Sequence, residues 1–149
     1  MRKITLLAVI AVAFSAAQVQ AQTPVSDVDK AAITQTALDY LEGWYAGDAE
    51  RMDRAVHPEL AKRIVRTNPQ GQSRLDQMSA MSLVQITRRG GGKNTPKEKQ
   101  QKDVVILDVF ENAASVKAIA SDWIDYLHVA KVNGKWVIVN VLWELKPRK

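Results

Sequence analysis

The sequence predicts an α+β fold in which N-terminal helices pack on a curved antiparallel β-sheet around a pocket. Three observations predict it. Ile33, Ala37, Tyr40, Leu41 and Trp44 recur at helical spacing, and Gly47 stops the run. After Gly90-Gly91-Gly92 the pattern becomes β-branched and apolar, from Asp103 to Phe110, then through Ala114 to Val132 and Lys135 to Leu145. Asn133-Gly134 joins the last two runs, and this dipeptide favours a type I′ hairpin turn because both central positions take positive φ.

The chain opens with segments outside that domain. Arg2 and Lys3 precede an apolar run, Ile4 to Phe14, and small residues lead to a cleavage site after Ala21. Residues 1–21 are therefore expected to be a signal peptide, residues 22–27 a mobile leader, and 28–146 the folded domain. The expected location is exported, either periplasmic or secreted. Removing Arg2 and Lys3 takes two of 21 basic residues and none of 16 acids, leaving a mature net charge of +3. Lys93, Lys97, Lys99 and Lys102 hold much of the excess without interleaved aromatics, so no nucleic-acid partner is expected. No membrane association is expected after signal cleavage. The chain has no cysteine, so its stability must come from its core, which suffices for a domain of this size.

Within the domain, Ser26 can cap the first helix, with Asp27 and Asp29 in its first turn. Asp48 can start a short second helix directly after Gly47, with Met52, Ala55 and Val56 facing inward, ending at His57-Pro58. The stretch from Glu59 to Ser73 reads as irregular, with a turn at Asn68-Pro69-Gln70-Gly71. A third helix is expected from about Arg74 to Arg88, followed by a flexible connector at Gly90 to Lys93.

A type I′ turn implies a register. Counting back from Val132 opposite Lys135 sets Leu127 against Asn140 and Asp125 against Leu142. One face then holds Trp123, Asp125, Leu127 and Val129 with Trp136, Ile138, Asn140, Leu142 and Glu144. The opposite face holds Tyr126 and His128 with Val137, Val139, Val141 and Trp143. Both faces are largely apolar, and helices cover only one. A second copy meeting the other through its sheet face, a homodimer, is expected, with coverage by the third helix as the alternative. Asp125 and Asn140 are the polar positions of interest on the first face. A buried carboxyl needs a hydrogen-bond partner, and a protonated one could donate to a ligand oxygen. The other reading is that Asp125 accepts from a tyrosine or tryptophan and specifies the core.

Four segments carry a family resemblance: Tyr40 to Asp48 (YLEGWYAGD), Ala55 to Pro58 (AVHP), Trp123 to Trp136 (WIDYLHVAKVNGKW) and Val139 to Trp143 (VNVLW). They resemble the nuclear transport factor 2-like superfamily, and within it the branch of putative lumazine-binding proteins. The resemblance spans roughly residues 28–145 and implies a cone-shaped, cystatin-like fold closed around a cavity. Against ketosteroid isomerase, Tyr40 stands where the oxyanion-hole tyrosine is, and Ile124-Asp125 where the protonated aspartate is. The place of the catalytic base is taken by Asn68, which cannot abstract a proton.

The resemblance therefore implies a binding protein more than an enzyme: a small, flat, mostly apolar ligand held by Tyr40, Trp44, Trp123, Asp125 and Asn140. On this reading Tyr40→Phe and Asp125→Asn each weaken ligand binding without unfolding the protein. Two other functions stay open. One is a lyase or isomerase with His57 as a weak candidate base. The other is a protein-interaction module whose side chains fill the cavity. His57 and His128 are the only imidazoles, and no metal site or cofactor is expected.

Overall fold

Ser26 opens α1 (Asp27–Ala46) of the computed structural model, which describes residues 25–147. Its hydroxyl accepts the Asp29 N–H at 3.1 Å, and Gly47 closes the helix with φ of 65°. Asp48 caps α2 (Ala49–Ala55) by accepting the Arg51 N–H at 2.9 Å. The expected signal peptide, and the leader up to residue 24, lie outside the described residues.

Asp29 also anchors the start of α1 to the sheet. It accepts from Lys131 Nζ and Trp136 Nε1, both at 2.8 Å, as well as from Ser26. These bonds, led by that from Lys131, hold its pKa down at about 2, below the ordinary 3.8. A depressed carboxylate adds stability that is complete above the unfolded value and lost as pH falls through 3.8 towards 2. We therefore expect Asp29→Asn to flatten the acid limb of a thermal-melt series in that window. A variant with the same acid slope as the wild type would show that the anchor adds nothing there.

The strands follow as β1 (Val56–Thr67), β2 (Ser73–Ser79), β3 (Asp103–Phe110), β4 (Ala113–Ile119), β5 (Trp123–Val132) and β6 (Lys135–Leu145). They form one open sheet in the order β2-β1-β6-β5-β4-β3. It is mixed rather than wholly antiparallel, because β1 runs parallel to β6. The segment read as irregular is thus a long strand, and the Asn68 turn is the tip of a β1–β2 hairpin. The expected third helix loses its first half to β2, and α3 occupies Ala80–Arg88 only. Pairing with seven β1 residues holds this stretch as an edge strand, whose inner backbone groups are engaged by β1, and overrides the helical spacing of Leu75 and Met78.

The three helices pack on one face of the sheet. Ile33 and Leu41 of α1 and Met52 of α2 meet Leu127, Ile138 and Val141 of the sheet in a core from which water is excluded. On the uncovered face, Val65, Leu75, Val105, Tyr126 and Leu142 are exposed. The third helix does not cover them.

The β5–β6 hairpin starts as expected, with Asn133 at φ of 50°, Gly134 at 79° and Val132 opposite Lys135. A bulge then interrupts it. Val129 pairs with Ile138, but His128 pairs with Asn140, so Val139 is an extra residue on β6. Beyond it every pairing shifts by one: Asp125 faces Trp143 and Leu127 faces Val141. Trp143 and Val141 therefore turn to the helix-covered face, while Asn140 and Leu142 turn away from it.

Candidate functional site

The bulge and the β1 strand together build the site. On β1, Leu60, Lys62 and Ile64 alternate inward and are all buried. Lys62 is the exception among them, a cation on the covered face. Its Nζ donates to the Tyr40 hydroxyl at 2.7 Å and forms an ion pair with Asp125 Oδ1. Trp123 Nε1 donates to the other carboxylate oxygen, Oδ2, at 2.6 Å. Asp125 is fully buried, and both its oxygens are engaged.

Aromatic rings enclose the ammonium. Its Nζ lies 4.6 Å from the Trp143 ring centroid and 5.4 Å from that of Tyr40, within cation–π range. Burial pulls the Lys62 pKa below the usual lysine value, and the neighbouring Asp125 charge opposes that pull. Burial, with the negative charge of Asp125 beside it, pushes the Tyr40 phenol well above its usual range. Tyr40 is accordingly a neutral phenol that accepts from Lys62.

This group stands at the wall of a cavity of about 340 Å³. Tyr40, Trp44, Trp123, Trp143, Met78 and Lys62 are among the residues lining it, with Gly91 from the loop after α3. Trp44 and Trp123 meet edge to face, with centroids 6.0 Å apart. The Gly90 to Lys93 segment, expected to be a flexible connector, is instead built against this wall. The Gly91 N–H donates to Ile86 O, and Gly92 packs directly on Trp44.

Of the expected site residues, Tyr40, Trp44 and Trp123 line the cavity. Asp125 stands behind Lys62 as its counter-ion and is not among the lining residues. The expectation that Asp125→Asn leaves the fold intact is revised accordingly, because that change removes half of a buried ion pair. Asn140 is on the uncovered face, where it accepts from Arg63 Nη1 at 2.9 Å and lies 3.3 Å from His128 Nδ1. The bulge at Val139 corrects its expected place on the same face as Asp125. His57, at the start of β1, accepts the Glu59 N–H at 3.2 Å and does not line the cavity. Sequence reasoning missed Lys62. The signal was present in the alternation of Leu60, Lys62 and Ile64 ahead of a turn.

A profile of the family described as putative lumazine-binding matches residues 28–144, almost the whole of the described domain. The chain belongs to that family. Its fold is shared with solved nuclear transport factor 2-like proteins, which are similar to it at low identity. One, of unknown function, from Shewanella baltica, is 19% identical, with a TM-score of 0.63 over 83% of this chain and 99% of its own. Another of unknown function, from Methylobacillus flagellatus, is 20% identical, with a TM-score of 0.61 over 85% and 98%. A ketosteroid isomerase-like protein from Erwinia carotovora atroseptica is 10% identical, with a TM-score of 0.53 over 83% and 100%. No curated protein matches the chain. These neighbours share the fold of the chain.

Proposed function

We propose that this family member is exported and binds a small, flat, mostly apolar molecule in the cavity. One observation carries the reading: about 340 Å³ of apolar, tryptophan-walled space has a buried cation in its wall. A ligand oxygen would meet Lys62 and Tyr40, while Trp44, Trp123 and Trp143 pack on the flat faces. The volume favours binding over the reading in which the protein's own side chains fill the cavity. With His57 outside the lining, nothing favours the lyase or isomerase reading.

We also propose a homodimer through the uncovered sheet face, whose exposed Val65, Val105, Tyr126 and Leu142 would be removed from water by a second copy. Native mass spectrometry of the protein from its host's exported fraction tests both: a dimer carrying a reproducible small-molecule mass is expected. A monomer would end the dimer proposal.

Lumazine is a suitable probe, because it is a flat dione and three cavity tryptophans report its entry by fluorescence quenching. One lost hydrogen bond of about 0.5–1.5 kcal/mol means that Tyr40→Phe should weaken it by about two- to tenfold. Equal affinity in the two proteins would remove Tyr40 from the site.

A further inference from the structure

We propose that Lys62 captures a carbonyl compound covalently, as an imine, because Lys62 lines the cavity with its Nζ held between the cavity-lining Tyr40 and the buried Asp125. The inference rests on reading the cavity as a ligand site and names the chemical class of that ligand: an aldehyde or ketone carried by a flat apolar body.

A cation is costly on an apolar sheet face, and hydrophobic residues of the same volume would serve stability as well or better. This one is set where the core opens into a cavity. Two features equip it for carbonyl chemistry. Asp125 is in direct contact with Nζ and can take its proton, and Tyr40 supplies a neutral phenol beside the same nitrogen. Burial of the Lys62 side chain favours its uncharged form, against the pull of Asp125 and of the Trp143 ring face.

The step balances within these residues. Proton transfer from the Lys62 ammonium to Asp125 leaves a neutral amine and a carboxylic acid. Rotation about Cε–Nζ turns the nitrogen lone pair to the cavity, where it bonds to the carbonyl carbon. The C=O π pair moves to oxygen, which takes the hydroxyl proton of the cavity-lining Tyr40 as Tyr40 takes the proton held by Asp125. The nitrogen, now positive, returns a proton to Asp125, leaving a carbinolamine. The C–O bond then breaks, the oxygen leaves as water with the Tyr40 hydroxyl proton, Asp125 restores that proton to Tyr40, and the nitrogen lone pair forms C=N. The product is a protonated imine facing a carboxylate, so the buried pair has the same charges before and after. That equality keeps the step from leaving either charge unpaired.

The test uses benzaldehyde with sodium cyanoborohydride, which delivers hydride to the protonated imine and fixes it as a secondary amine. The reaction is run on the full protein at about pH 6.5, where ordinary lysines are almost wholly protonated. Intact mass and peptide mapping should show one benzyl group, concentrated at Lys62, with more label there than at Lys97 and Lys99 together. Lys62→Arg should lose that adduct. Tryptophan quenching by lumazine and by benzaldehyde is followed in the same sample. Saturable quenching with no Lys62 adduct would overturn covalent capture and leave the ligand site standing. If neither compound quenches and Lys62 stays unlabelled, the ligand site and the capture fall together. Label spread evenly over the surface lysines would also overturn the proposal.

Discussion

Lys62→Met is expected to destabilise the domain by about 3–5 kcal/mol, Asp125→Asn by a similar amount, and the double variant by much less than their sum. Each single change leaves one member of a buried pair without its partner. In Lys62→Met the Asp125 carboxylate keeps only the Trp123 N–H. In Asp125→Asn the ammonium keeps only the Tyr40 hydroxyl and the aromatic rings. The double variant removes both charges, and the amide oxygen that replaces the carboxylate can still accept from Trp123. At roughly 3–5 °C per kcal/mol for a domain of this size, each single variant should melt about 10–25 °C lower. Urea unfolding of the four proteins measures the coupling directly. We expect at least about 2 kcal/mol, and additive losses would mean that the two residues do not act as one unit.

Gly92→Ala is expected to cost about 1–3 kcal/mol and to weaken lumazine binding at the same time. A Cβ at Gly92 would stand 2.6 Å from the Trp44 carbonyl oxygen and 2.6 Å from its Nε1, well inside ordinary contact. The carbonyl belongs to the α1 backbone and cannot swing aside, so the loop must lift or the helix must shift. Trp44 is a cavity wall and meets Trp123 edge to face, so displacement of either element disturbs the space a ligand would use. Backbone conformation is not the cause, because Gly92, unlike Gly90, does not have a positive φ. A variant with unchanged melting temperature and unchanged quenching would show that the loop does not set the wall.

Both effects follow from packing between elements far apart in sequence, and this separates what could be read early from what could not. The caps at Ser26, Gly47 and Asp48 and the Asn133-Gly134 turn were legible, because each is decided by a few neighbouring residues. So was the inward stripe of α1, including Tyr40 and Trp44. The β1–β2 hairpin was harder. Pro58 and the charges of β1 obscure its alternation, and β2 carries a helix-like spacing that strand pairing overrides. Asn140 was misplaced by a single unpaired residue, Val139, since one inserted residue reverses the facing of everything beyond it.

Local periodicity and short motifs encode the α+β class, the family, the caps and turns, and the place of Tyr40 on the inward stripe of α1. Tertiary structure alone decided that Asp125 is a counter-ion, that Lys62 is the cavity's cation and that Trp143 rather than Asn140 faces it. Lys62 and Asp125 are 63 positions apart, on strands separated by β6, and no local pattern relates them. Their meeting depends on the parallel register of β1 on β6 and on the bulge in β6, two backbone choices made by the packing of the whole sheet.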